Sequence, residues 1–341
     1  MNAYRILLHA LLSLVLIAAY PAAAAEKKLT LKVGTLAPTG TSYHKQLMLL
    51  KEKWQKASSG SIQLIVYPDG RQGTEPEMVS AMATGNLHAG LLTATGLSMI
   101  EPAVTALQSM PMAFRTLDEV DYVADKMRPM LEERLTAKGF VVLFWSDSGW
   151  VRFFSKHPVV HPDDLRKLKV FSWAGGKGEF EAWKQGRFNP VSLEPGEIFS
   201  SLGTGIITSA PMPPFFALAT QIDTVAPHML ELNWAPLVGA LVVRRESWEK
   251  VPADLRAEFL KDSAETGREI KARARAEGLE SVVAMQKRKL TVSSVDAAVH
   301  SEWEHAAEEI RDRVRGPIVP SDLYDAVQAH LKEFRSRGAS K

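Results

Sequence analysis

Cysteine is absent from all 341 residues, and neither sign of charge is in clear excess. Without cysteine the chain forms no disulfide, binds no metal through thiolates, has no cysteine nucleophile and carries no lipid on an N-terminal cysteine. Lysine plus arginine (41) and aspartate plus glutamate (39) give a net charge of +2. These charges are scattered along the sequence rather than gathered into a stripe, so no nucleic-acid partner is predicted.

After residue 25 the sequence contains no long apolar run, but one such run lies before that residue. Arg5 is followed by ILLHALLSLVLIAAY, and AAAA stands directly before Glu26. A positive start, a short apolar run and small residues at its end are typical of a secretory signal peptide. We predict cleavage near Ala25, which leaves a net charge of +1 and a soluble periplasmic chain. An uncleaved membrane anchor is the alternative.

Strand and helix patterns alternate after the signal segment and predict an α/β fold with a mostly parallel sheet. FVVLFWSDSG and WVRFFSKHP are predicted as two strands near the middle, and a fresh α/β run follows them. ALVVRRESWEKVP is predicted to bring a strand back, ahead of one long charged helix. The predicted division is a signal peptide (1–25), lobe I (26–150), mainly lobe II (151–235), and a returning strand with C-terminal helices on both lobes (236–341).

Six segments, in this order and spacing, resemble the DctP-type solute-binding proteins of TRAP transporters over roughly residues 29–335. They are YPDGRQGTEPEMVSAMATGNLHAGLLTATGL, LQSMPMAFRTLDEVDYV, GFVVLFWSDSGW, HPVVHPDDLRKLKVF, NPVSLEPGEIFSSLGTGII and ESWEKVPADLRAEF. The resemblance implies a two-lobe periplasmic binding protein fold, with a ligand cleft between the lobes and crossing hinge strands. It also implies a monomer without enzymatic activity, which closes on a small molecule and delivers it to TRAP membrane subunits.

The sequence departs from this family where its members hold a carboxylate. LRKLKVF places Phe171 where the family pattern has its main arginine, and FWSDSGW places Trp150 at a second one. TSAPMP places Met212 where the family has an asparagine. Arg152, two residues after Trp150, shares its strand face by alternation and is a partial substitute.

These replacements favour an apolar, aromatic or weakly charged ligand, since a buried carboxylate without a cation costs several kcal/mol. The candidate ligand-binding residues are Tyr43, Trp150, Arg152, Phe171, Trp173, Met212 and Phe215.

Three alternatives stay open at this stage. The aromatic candidates can be lobe core. An organic acid can be held by Arg152 or Arg187. The protein can also serve a sensor or carry lipid-like molecules.

No cofactor, metal or catalytic site is predicted. AGGKG lacks the spacing of a phosphate-binding loop, and prolines interrupt the histidines and aspartates of HPVVHPDD. Serine and histidine are plentiful, but none stands in the context of a catalytic triad.

Overall fold

The computed structural model describes residues 28–338, apart from the side chain of Lys177. The predicted signal peptide therefore lies outside the described residues. Within the described residues, no helix is both long enough and apolar enough to cross a membrane.

The first part of the chain alternates strands and helices. Its elements are β1 (Leu29–Thr35), α1 (Ser42–Ala57), β2 (Ile62–Tyr67), α2 (Glu75–Thr84), β3 (Ala89–Thr93), α3 (Ala94–Ser98), a 3-10 turn (Pro102–Leu107) and α4 (Leu117–Ala137). The start of α2 is fixed by a capping box in which Thr74 and Glu77 bond each other's backbone N–H. Its end is fixed by Gly85, whose φ of +80° suits glycine.

The second part repeats this alternation and then turns helical. Its elements are β4 (Phe140–Ser155), α5 (Pro162–Arg166), β5 (Lys169–Trp173), α6 (Lys177–Gln185), β6 (Asn189–Leu193), α7 (Ile198–Thr204), β7 (Ser209–Met212), α8 (Pro214–Ala219), β8 (His228–Arg244), α9 (Arg245–Trp248), α10 (Ala253–Lys287), β9 (Thr291–Ser293), α11 (Ala297–Val314) and α12 (Ser321–Gly338). The long helix α10 and the two C-terminal helices, α11 and α12, occur where the sequence patterns predict helices.

The strands pair in the order β2-β1-β3-β8-β4-β7-β5-β6, with β9 on β8. We call β1–β3 with their helices lobe I, and β5–β7 with theirs lobe II. Pairing is parallel inside each lobe, apart from the contacts with β4 and β8, which run antiparallel to each other and to their neighbours β3 and β7. The sheet is therefore mixed, because two long strands pass through both lobes.

The two central strands predicted from the sequence are one strand, β4. Its pairing with β8 shifts register between Asp147 and Trp150, where Gly149 has φ +71°. Gly149 adopts this left-handed conformation without the cost that a Cβ would impose. The predicted break is therefore a local irregularity inside a continuous crossing strand.

Helix α10 closes the core of lobe I. Phe259 stacks on Trp54 of α1 with ring centroids 4.2 Å apart and planes at 10°. Both side chains are buried, and burying such a ring contributes about 1.5–3 kcal/mol. Met285, near the other end of α10, is buried in the core of lobe II. One helix therefore packs on both lobes, across the back of the crossing strands.

Candidate functional site

A cavity of about 190 Å³ lies where the carboxyl ends of β1, β3, β5 and β7 meet the middle of β4 and β8. The crevice at the carboxyl ends of strands is where open α/β sheets place their ligands. The loop after β5 closes over it from lobe II, because a Cβ added at Gly175 would lie 3.6 Å from Cγ of Pro76 in lobe I.

Five of the residues predicted from the sequence line this cavity: Tyr43, Phe171, Trp173, Met212 and Phe215. Tyr43 of lobe I stacks on Phe215 of lobe II with centroids 5.9 Å apart. The ring centroids of Phe171 and Trp173 lie 6.4 Å apart on β5. Aromatic side chains from both lobes thus share one wall.

Trp150 and Arg152 lie outside the cavity wall, against our expectation. Val151, between them, lines the cavity, and neighbouring side chains of a strand point to opposite faces. Trp150 and Arg152 thus share a strand face, as alternation predicts, but the face of β4 that borders the cavity is the one that carries Val151. Arg152 instead donates to Glu231 (3.3 Å). Arg187, the other proposed anchor, is exposed and also outside the wall.

The described lining side chains include two carboxyl groups, Glu75 and Glu179, and no arginine or lysine. Glu75 is 1% exposed at the start of α2. One carboxylate oxygen accepts from the backbone N–H of Thr93 (2.6 Å), and the other accepts from its hydroxyl (2.7 Å). Burial nevertheless raises the pKa of Glu75 to about 7. Glu75 therefore fastens α2 to the end of β3, with both oxygens engaged.

Glu179 lies on α6, one turn before Trp183. Burial raises the pKa of its carboxyl, and a hydrogen bond from Trp183 opposes that rise. No ion pair to Glu179 occurs among the side chains that the structure describes. The carboxyl is thus held beside aromatic rings without a compensating cation.

An arginine does lie behind the cavity, but its hydrogen bonds are committed. Arg275 of α10 donates from Nε and Nη2 to Asp147 (2.9 and 2.7 Å), and from Nη1 and Nη2 to Asp121 (2.9 and 2.7 Å). These two carboxylates raise the pKa of Arg275. We call these three residues the Arg275 network. It ties α10 and α4 to the irregular point of β4 and leaves no guanidinium face for a solute.

Hydroxyl groups connect the Arg275 network with the cavity. The hydroxyl of Tyr43 is hydrogen-bonded to that of Ser148 (2.8 Å), next to Asp147. Burial raises the pKa of Tyr43 to about 12, so the phenol stays neutral at physiological pH.

Two polar atoms of β5 have no hydrogen-bond partner within residues 28–338. They are Oγ of Ser172 and Nε1 of Trp173, on residues that line the cavity. Buried polar atoms are usually hydrogen-bonded, so these two are exceptions, and both are shielded from the cavity space.

The wall residues that sequence reasoning missed include two carboxyl groups and two indoles: Glu75, Glu179, Trp183 and Trp234. Trp183 stacks on Trp234 with centroids 5.3 Å apart. Of these four, only Glu75 could have been predicted from the sequence. It is the first residue of a helix that follows a strand and a turn, and a side chain at that position reaches the carboxyl edge of the sheet. No group of three or more histidine, aspartate or glutamate side chains able to hold a metal occurs in the described part of the chain.

Residues 33–315 match DctP, the bacterial extracellular solute-binding protein family 7. The chain belongs to this family. Among its relatives, the C4-dicarboxylate-binding periplasmic protein DctP of Rhodobacter capsulatus is 24% identical over 288 residues, which are 83% of this chain and 85% of that protein.

Solved structures show the same fold. A TRAP periplasmic solute-binding protein from Sulfurospirillum deleyianum, with bound succinate, matches with a TM-score of 0.81 at 22% identity and covers 88% of this chain and 98% of its own. One from Desulfovibrio salexigens, with bound orotic acid, has a TM-score of 0.82 at 14% identity, covering 91% and 99%. The chain is thus a solute-binding protein of the DctP family with the two-lobe fold of the TRAP periplasmic solute-binding proteins, as the sequence resemblance implied.

Proposed function

We propose that this DctP-family protein captures a small apolar or aromatic solute that carries no carboxylate, and delivers it to TRAP membrane subunits. The observation that carries the proposal is the cavity wall, where the described side chains include aromatic rings and two carboxyl groups but no cation. A solute carboxylate here would face Glu75 and Glu179 without a guanidinium to pair with, at a cost of several kcal/mol.

The physical gain in such a site comes from apolar burial and ring contacts. Burial contributes about 25 cal/mol per Å² of apolar surface, and an aromatic pair adds about 0.5–1.5 kcal/mol. A cavity of about 190 Å³ is smaller than the 300–1,000 Å³ typical of drug-sized ligands. Its size therefore favours a small solute over the lipid-like cargo considered from the sequence.

An organic-acid ligand is the second candidate, because the Sulfurospirillum and Desulfovibrio structures hold succinate and orotic acid. In this chain the acid would need a cation in or near the wall. Arg152 and Arg187 lie outside the wall, and Arg275 is bound to Asp121 and Asp147.

Native mass spectrometry of the protein purified gently from a bacterial periplasm tests the proposal directly. We expect a chain that begins at Glu26, is monomeric, and carries a small co-purified molecule without a carboxyl group. Calorimetry with succinate and orotate should show no binding at micromolar concentration. Micromolar binding of either acid would contradict the proposal and favour the second candidate.

A variant pair locates the site. Trp173→Leu removes a ring from the cavity wall and should weaken binding of the co-purified molecule about tenfold, equal to about 1.4 kcal/mol. Trp145→Leu is the matched control, because Trp145 is also half-buried but lies outside the wall. Equal effects of the two substitutions would place the solute elsewhere.

A further inference from the structure

Glu179 is the carboxyl group in the cavity wall that retains acceptor capacity. Both oxygens of Glu75 accept hydrogen bonds from Thr93. The carboxyl group of Glu179 has only the side chain of Trp183 as a donor among the described residues. A carboxylate has about four acceptor positions, so Glu179 can receive further N–H or O–H donors. It is therefore the polar group of this wall best able to select a solute.

The surroundings of Glu179 favour a positively charged donor. Neither Glu179 nor Glu75 forms an ion pair with any side chain that the structure describes, and burial raises the pKa of both carboxyl groups. A cation bound beside Glu179 would favour its ionised form, which burial alone disfavours. The rings of Trp183 and Trp234 stack beside it. A cation within about 6 Å of a tryptophan face gains about 0.5–2 kcal/mol, which neutral donors do not gain.

We propose that the solute is a small organic amine, whose ammonium group is held by Glu179 and whose apolar body lies among the aromatic rings of the cavity. This inference rests on the proposed function and names its ligand class. The cavity selects against acids through the same carboxyl that holds the amine.

Three one-ring probes that differ in their polar group test the inference on the secreted protein: benzylamine, benzyl alcohol and benzoate. Calorimetry at pH 8 should show benzylamine binding at least about tenfold tighter than benzyl alcohol, and no binding of benzoate. Glu179→Gln should weaken benzylamine binding about tenfold and leave benzyl alcohol within about threefold. Glu181→Gln, on the exposed face of the same helix, is the matched control and should change neither.

The outcomes separate this inference from the proposed function. Equal affinity for benzylamine and benzyl alcohol, unchanged by Glu179→Gln, would overturn the amine assignment and leave an apolar or aromatic solute in place. Tighter binding of benzoate than of the other two probes would overturn both. Binding of none of the three would overturn the amine assignment, and the co-purified molecule would then decide the proposed function by itself.

Discussion

Two groups of buried ionisable side chains lie close together in this protein. Among the described residues, only one of these groups contains a cation that pairs with its carboxylates. In the Arg275 network, one guanidinium receives two carboxylates, Asp121 and Asp147, and every contact is 2.9 Å or shorter. In the cavity wall, Glu75 and Glu179 have no cation among the described side chains. The structural network is closed on itself, whereas the two carboxyl groups of the cavity have a raised pKa and no cation beside them in the described part of the chain.

This difference shows why Arg275 does not serve as a cation for the cavity. An arginine near a solute site can bind a solute carboxylate only if its guanidinium donors are free. A guanidinium that already pairs with two carboxylates has no such donors left for the solute. The acidic and aromatic cavity next to it therefore selects by a different chemistry. The following predictions test both halves of the comparison, beginning with the largest effect.

Removing the cation of the Arg275 network should cost the most. Arg275→Met removes the cation from Asp147, whose side chain is 5% exposed, and leaves a buried carboxylate unpaired. Loss of one partner from a buried pair typically costs about 3–5 kcal/mol. We expect the free energy of unfolding in urea to fall by about 3 kcal/mol, because Asp121 is a third exposed and water offsets part of the loss.

Arg273→Met, two residues earlier on the same helix, is the control for this substitution. Arg273 pairs with Glu269 on the surface, with about half of each side chain exposed. Surface pairs of this kind contribute about 0.3–0.5 kcal/mol. If Arg275→Met cost no more than Arg273→Met, the network would not be structural.

The carboxyl groups of the cavity should appear in the pH dependence of stability. The pKa of Glu75 is about 7 in the folded protein against an ordinary 4.5, so the folded state binds more protons between these values. The stabilisation is complete below about pH 4.5 and is lost as the pH rises through 7, by at most about 3 kcal/mol. Wild type should therefore lose stability relative to Glu75→Gln across this window, as measured by urea unfolding at several pH values.

Glu77→Gln gives the opposite sign from the same helix. The pKa of Glu77 is lowered by its hydrogen bonds with Thr74, so its contribution is present at neutral pH and is lost on acidification. Parallel pH profiles for the Glu75 and Glu77 variants would contradict the assignment of a raised pKa to Glu75.

The smallest effect is expected at Arg152. Its guanidinium donates to Glu231, which is half exposed, so Arg152→Met should lower the free energy of unfolding by about 0.5–1 kcal/mol. Because Arg152 lies outside the cavity wall, solute affinity should stay within about threefold. A loss of affinity of tenfold or more would return Arg152 to the site and support the organic-acid alternative.

Much of the aromatic wall could be predicted from the sequence, since Phe171, Trp173 and Met212 stand at or beside the positions of the family's polar anchors. Trp150 and Arg152 lie outside this wall because the face of β4 that borders the cavity carries Val151, and the register shifts on either side of these residues determine which face that is. Nothing local in the sequence reveals such a shift before β8 is paired with β4.

The charged groups were harder to predict because they depend on distant pairing. Arg275 meets Asp147 and Asp121 across 128 and 154 residues of chain. Glu179 borders the cavity because α6 turns the face that carries Ala182 and Trp183 toward it, as that helix packs on β5, β6 and α11. The periodicity of one helix predicts which of its faces is buried, but it does not predict which cavity that face borders.

Gly149 gives the Arg275 network a further consequence. Its backbone N–H donates to the carboxylate of Asp147 (3.0 Å), at the bend that the register shift makes in β4, a strand that both lobes share. A Cβ added at Gly149 would lie 3.8 Å from Arg275, which is an ordinary contact distance. In a protein that opens about this bend, the measured dissociation constant equals the intrinsic one divided by the fraction of closed molecules. A substitution at Gly149, which follows the cavity residue Ser148 but is not itself in the wall, would then set how much solute the protein retains.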